Sequence, residues 1–146
     1  MKGFFFNSPT PRKPGGTKGS RAPREPKAPR TYGAAQVPAL PVCSSCRLFE
    51  GCKSPKIPVT GGGARKILFV AEAPGETEDA DGLHLVGRSG QVLEERLKGI
   101  GIDLDRDCWT IASVNCRPPG GRTPTMKEVD WCRPSVVNAI KAYRPK

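Results

Sequence analysis

The sequence predicts an α/β fold: a small parallel sheet flanked by helices, preceded by a basic tail that does not fold. Three observations carry this expectation. First, Lys66-Ile67-Leu68-Phe69-Val70-Ala71 is a short apolar run that ends in Glu72-Ala73-Pro74-Gly75, the pattern of a buried strand entering a loop. Second, another apolar run, Cys108 to Val114, follows a helical stretch, and a further helical stretch follows it. Strand, helix, strand, helix in that order calls for parallel strands joined by right-handed crossovers. Third, residues 1–40 differ in composition from all that follows.

The tail holds eight Lys/Arg against one acid, Glu25, and seven prolines that block helix and sheet pairing. With so few apolar side chains it cannot offset its ordering entropy, so disorder is expected. It reads equally as an electrostatic DNA tether or as a solubilising tail. Phe4–Phe6 reads as a short anchor for a partner or as a loosely collapsed terminus. The folded part, residues 41–146, opens near Val42. Ser89 to about Ile100 is read as a helix, with Val92, Leu93, Leu97 and Ile100 on one side and Gly101 ending it. Thr125 and Glu128 form a capping-box pattern. It opens a helix through Val129, Cys132, Val136, Val137 and Ile140, which Pro134 should kink or split. A third strand is expected after Lys146, because two strands make a thin sheet.

The net charge of +10 and pI near 9.7 favour a polyanionic partner, nucleic acid first and acidic membrane second. No apolar run approaches the ~18 residues of a membrane span, and Phe4–Phe6 is too short for a signal-peptide core. A cytoplasmic, DNA-associated protein is expected. In a reducing compartment the six cysteines point to metal binding more than to disulfides.

Cys43-Ser-Ser-Cys46 is a CxxC in a proline-flanked loop. Cys116 follows the second strand and Cys132 lies on the last helix, joined by a Pro/Gly-rich loop that can fold them together. Four thiolates hold either an iron–sulfur cluster or zinc, and the residue types do not separate the two. Cys108, inside a strand pattern, reads as a small buried hydrophobe. Cys52 is ambiguous, with an exposed thiol as one reading.

Three stretches in series resemble the family-four, iron–sulfur uracil-DNA glycosylases: Cys43-Ser-Ser-Cys46; Phe69 to Asp79 with Gly82 and Val86-Gly-Arg-Ser-Gly90; and Cys116-Arg-Pro-Pro119 with Arg122-Thr-Pro124, Glu128 and Cys132. The resemblance covers roughly residue 41 to the end. It implies a partial uracil-DNA-glycosylase-like α/β/α domain that hydrolyses the N-glycosidic bond of a uracil flipped out of single- or double-stranded DNA. It also implies a 4Fe–4S cluster on Cys43, Cys46, Cys116 and Cys132. Glu72 and Glu78 match the functional acidic positions. The backbone of Ala73, Pro74 and Gly75 suits hydrogen bonding to the uracil edge at a strand end. Arg117 and Arg122 read as phosphate contacts beside the cluster, or as arginines paired with nearby acids.

The sequence departs from the family pattern at several of these positions. Leu85 stands where the family has a stacking Phe, and stacking is worth ~1–3 kcal/mol. Ala112 stands where an Asn reads uracil, and Gly121 replaces an Asn before Arg122. The family's late His loop has no counterpart, and His84, in the wrong motif, is expected to be an exposed loop residue. The expectation is weak or no uracil excision by this chain alone, with a second polypeptide supplying the remaining strands. The alternatives are a non-catalytic iron–sulfur DNA-binding module and a zinc module.

Overall fold

The computed structural model describes Cys43 and residues 45–146. The tail and its Phe4–Phe6 cluster lie outside the described residues. In chain order the elements are β1 (Ile67–Ala71), α1 (Glu76–Asp81), α2 (Arg88–Gly99), α3 (Leu104–Asp107), β2 (Cys108–Ala112) and α4 (Met126–Tyr143), with 3₁₀ turns at Leu48–Gly51 and Pro119–Gly121. Both expected strands and both expected long helices are present. The short helices α1 and α3 fall in stretches too brief to show a helical period.

The two strands pair in parallel, in register from Ile67 opposite Cys108 to Ala71 opposite Ala112. Thr60 extends the pairing on the far side of β2: the Thr60 and Thr110 amides donate to each other's carbonyls at 2.9 and 2.7 Å, and their hydroxyls lie 2.6 Å apart. Gly61 makes this approach possible. Its φ is +104°, and a Cβ there would overlap the Cys108 carbonyl. Leu97, Leu104 and Cys108 form the core beneath the sheet, with Ile67, Phe69, Leu85, Leu93 and Ile102 packed around them. Cys108 is fully buried there, as the strand pattern predicts.

The helix faces differ in detail from the sequence reading. On α2 Leu97 is buried, but Val92 and Ile100 are more than half exposed. Gly90 and Glu94 take buried places instead, and Glu94 meets Lys98 at 3.0 Å. The α2 N-terminus runs so close to the Leu85 backbone that only glycine fits at position 90. On α4 the buried residues are Glu128, Cys132, Ser135 and Ala139, whereas Val137 and Ile140 are exposed. The capping box forms as expected: the Glu128 amide donates to the Thr125 hydroxyl, and the Thr125 amide donates to the Glu128 carboxylate. Pro134 does not split the helix. It removes one amide donor on an exposed surface, where water can satisfy the freed Asp130 carbonyl.

Buried carboxylates fasten the loops. Asp107 accepts from the Asp103 amide at 3.0 Å and from two nitrogens of Arg106, and Arg65 stands 3.4 Å away. These donors hold its carboxyl well below the usual range. Asp79 is 2% exposed and accepts from the Lys53 and Ser54 amides at 3.2 and 3.1 Å. Near the C-terminus Trp109 stacks on Tyr143 with centroids 4.7 Å apart. No helix among the described residues is long and apolar enough to cross a membrane.

Gly90→Ala forces a methyl group into the Leu85 backbone, so a loss of about 2–3 kcal/mol is expected from overpacking. A urea or guanidinium titration with an unchanged slope and a lowered midpoint checks this.

Candidate functional site

The parallel sheet ends where β1 and β2 release their chains, and a cavity of about 470 Å³ opens there. One wall is the loop after β1, Ala71 to Ala73 and Gly75 to Glu78. The facing wall is His84, Leu85 and Gly87 to Ser89. The chain after β2 braces the first wall. The Ser113 amide donates to the Ala71 carbonyl at 2.8 Å and the Ser113 hydroxyl donates to the Glu72 carbonyl at 2.5 Å. With its backbone held in this way, Glu72 leaves its side chain exposed at the cavity rim.

Glu78 joins the two walls. Its carboxylate accepts the Gly75 amide at 3.1 Å and the Gly87 amide at 2.6 Å. A Cβ at Gly75 would lie 2.7 Å from this carboxylate, and one at Gly87 would lie 2.9 Å from it. Both glycines therefore let a short acidic side chain bridge two backbones. Glu78 and Asp79 both belong to α1, which orders a loop on each side through carboxylate-to-amide bonds. Among the predicted uracil-edge donors, the Gly75 amide is already taken by Glu78. Ala73 lines the cavity, whereas Pro74 is buried behind it. Leu85 lines the facing wall with a left-handed φ of 54°, and Ala112 is fully buried and does not line the cavity.

His84 is corrected as well. It is 2% exposed, its Nε2 lies 3.3 Å from the Ile57 carbonyl, and it forms part of the cavity wall. Burial lowers its pKa to about 4, so the ring is neutral. The sequence around it, Leu83-His84-Leu85, could not show this, because the residues that cover it, Ile57 and Pro58, are distant in sequence.

Of the two predicted phosphate contacts, Arg122 is committed elsewhere. Its guanidinium forks onto Glu128 at 2.9 and 2.6 Å, and this pairing lowers the Glu128 pKa to about 2. The alternative expectation, pairing with a nearby acid, describes Arg122. Arg117 approaches Glu76 only at 3.9 Å, and its Nε is buried without a partner.

Cys116 follows β2, and Cys132 lies on α4. Cys116 and Cys132 are buried, whereas Cys43, Cys46 and Cys52 are half-buried. Burial pushes the Cys116 thiol up to about 12, and Cys52, Cys132 and Cys46 are near enough to push in the same direction. Burial also raises the Cys132 thiol, with Cys43 and Cys46 adding to it. Backbone amides point at two of the sulfurs: Lys56 N–H reaches Cys116 Sγ at 3.3 Å, and Asn115 N–H faces Cys132. Among the described residues, no three of these side chains, or of any His, Asp or Glu, close to metal-holding geometry. Cys52 is not the exposed thiol of one sequence reading. It donates to the Leu48 carbonyl at 3.1 Å and lies 3.6 Å from the Arg117 carbonyl.

The cavity lies at the carboxyl end of a parallel strand, the place where α/β folds set their ligand sites. The chain belongs to the uracil DNA glycosylase superfamily, whose family model matches residues 58–146. It is 38% identical over 103 residues to the type-4 uracil-DNA glycosylase of Archaeoglobus fulgidus, covering 70% of this chain and 51% of that protein. It is 41% identical over 80 residues to the type-4 enzyme of Thermotoga maritima, covering 55% of this chain and 41% of that protein. A stretch of 74 residues is 33% identical to a DNA polymerase of Bacillus phage SP01, covering 49% of this chain and 8% of that protein. The chain spans about half the length of the curated type-4 relatives it matches.

Glu78→Ala frees two amides and unlocks both walls. A loss of about 2 kcal/mol is expected, with hydrogen exchange at Gly75 and Gly87 rising more than elsewhere. Two acid steps are also expected. The folded-state pKa of His84 lies below its ordinary 6.5, so the unfolded chain takes up that proton first, and stability falls as pH drops from 6.5 toward 4. Glu128 contributes fully above its ordinary 4.5, and its contribution is lost as pH falls from there toward 2. Denaturation curves against pH should lose the first step in His84→Gln and the second in Glu128→Gln.

Proposed function

We propose that this chain carries the base-binding and iron–sulfur portion of a uracil-DNA glycosylase, which hydrolyses the N-glycosidic bond of uracil in DNA during base-excision repair. The observation that carries this reading is the cavity at the end of β1, walled by two glycine loops that one carboxylate, Glu78, ties together. A base flipped from the stack enters against Leu85. The exposed Glu72 carboxylate at the rim then positions water or stabilises the cationic sugar. Glu78 contributes by holding the walls in place, since both its oxygens are engaged with backbone amides. Arg117 is the remaining basic side chain of the third motif for a phosphate, because Arg122 is spent on Glu128.

The thiols fit an iron–sulfur cluster in donor chemistry. Cys43, Cys46, Cys116 and Cys132 are soft ligands, with amides from Lys56 and Asn115 aimed at two of the sulfurs. Such amides stabilise thiolate charge. A 4Fe–4S cluster bound there would cross-link the N-terminal loop, the segment after β2 and α4. DNA is the partner, and a second polypeptide supplying further strands is the proposed complement to the two-stranded sheet.

A second reading, a non-catalytic iron–sulfur or zinc DNA-binding module, is favoured by Leu85 and by the buried Ala112, which offer the base neither an aromatic face nor a side-chain amide. Uracil release and binding to uracil-containing DNA, measured on the full chain and on Glu72→Ala, separate the two. The enzyme reading expects release to fall about 10²-fold in the variant with affinity little changed. Binding without any release from the unaltered chain supports the module.

A further inference from the structure

The cavity lining holds three carboxylates, Glu72, Glu76 and Glu78, and one cation, Arg88. Glu78 is engaged with the Gly75 and Gly87 amides, and Glu76 has Arg117 at 3.9 Å. Glu72 stays exposed on one wall and Arg88 stays exposed on the other. Arg88 makes no ion pair and no side-chain hydrogen bond among the described residues. This sets it apart from Arg47, Arg65, Arg106, Arg122 and Arg133, each of which meets an acid at 3.4 Å or less. The backbone that carries Arg88 is pinned on both sides. Gly87 gives its amide to Glu78 at 2.6 Å, and its carbonyl accepts the Gln91 amide at 3.0 Å. Gly90 is seated against the Leu85 backbone. A free guanidinium is thus held at the mouth of a cavity whose other charges are negative.

We propose that Arg88 binds a phosphate flanking the flipped nucleotide, so that the sugar comes to lie between Arg88 and Glu72. The proposal deepens the base-binding reading above and rests on it. A nucleotide that enters from a strand carries a phosphodiester on each side of its sugar. Glu72 repels those charges at the rim, and a cation on the facing wall offsets the repulsion. A guanidinium suits the task, because it donates two parallel N–H bonds to phosphate oxygens. Such a contact carries no sequence information. It fixes the place of the strand and leaves the choice of base to the cavity.

The test is the affinity of the full chain for a single-stranded oligonucleotide, read by fluorescence anisotropy at several salt concentrations. The oligonucleotide holds one 2′-fluoro-deoxyuridine, whose fluorine disfavours the cationic sugar and prevents release. Two further versions carry a neutral methylphosphonate in place of the phosphate 5′ or 3′ to that residue. Arg88→Ala is compared with Arg96→Ala, which removes an exposed arginine of the same helix that does not line the cavity. Circular dichroism checks the fold of both variants. Arg88→Ala should bind the all-phosphate strand about tenfold more weakly and lower the salt slope by about 0.7, with Arg96→Ala little changed. One of the two methylphosphonates should weaken the unaltered chain by a similar factor and leave Arg88→Ala unaffected. A loss in Arg88→Ala that is the same on all three strands, or no larger than that of Arg96→Ala, overturns the proposal and leaves the base-binding reading standing. An unaltered chain that binds the uracil strand no tighter than the same strand with thymine overturns both.

Discussion

The bidentate use of the Glu78 carboxylate is the constraint on which the site depends. Two loops meet at the cavity, one after β1 at Gly75 and one opening α2 at Gly87. A single acid supplies both acceptors at 3.1 and 2.6 Å. Hydrogen bonds to a carboxylate are worth more than neutral ones. Without this bridge the cavity has two independent walls.

The same device recurs through the molecule. Asp79 fastens the loop at Lys53 and Ser54, Asp107 closes its own helix and meets Arg65, and Glu128 caps α4 while gripping Arg122. The apolar core is small, centred on Leu97, Leu104 and Cys108. In a unit with so little apolar surface to bury, carboxylates that satisfy backbone amides hold segments that packing alone cannot. Glu78 and Asp79 are neighbours in α1 yet point to different loops, one at the cavity and one at the thiols. Cys116 lies just beyond the Ser113 and Val114 amides that brace the first cavity wall.

The main elements were legible in the sequence. Both strands are short apolar runs with turn residues at their exits, and α2 and α4 carry a helical period, with a capping box opening α4. Cys108 was legible as buried because it sits inside a strand pattern. The loop from Glu72 to Asp79 announced a site by its residue types, and the family motifs marked the same stretch. Pro134 did not split α4, because a missing amide costs little on an exposed helix face.

What the tertiary structure decided was the partner of each polar side chain. Sequence names Glu78, Arg122, His84 and Cys52 but cannot say what each touches, because the partners lie in other segments or in backbone atoms common to every residue. Glu78 turned from a candidate reacting group into a bridge once Gly75 and Gly87 stood beside it. Arg122 forks onto Glu128, and His84 is buried against the Ile57 carbonyl. Cys52 joined the thiols through the Arg117 carbonyl, 65 residues away. Local periodicity fixes where a helix or strand forms. Only the packing of distant loops fixes which charge meets which amide.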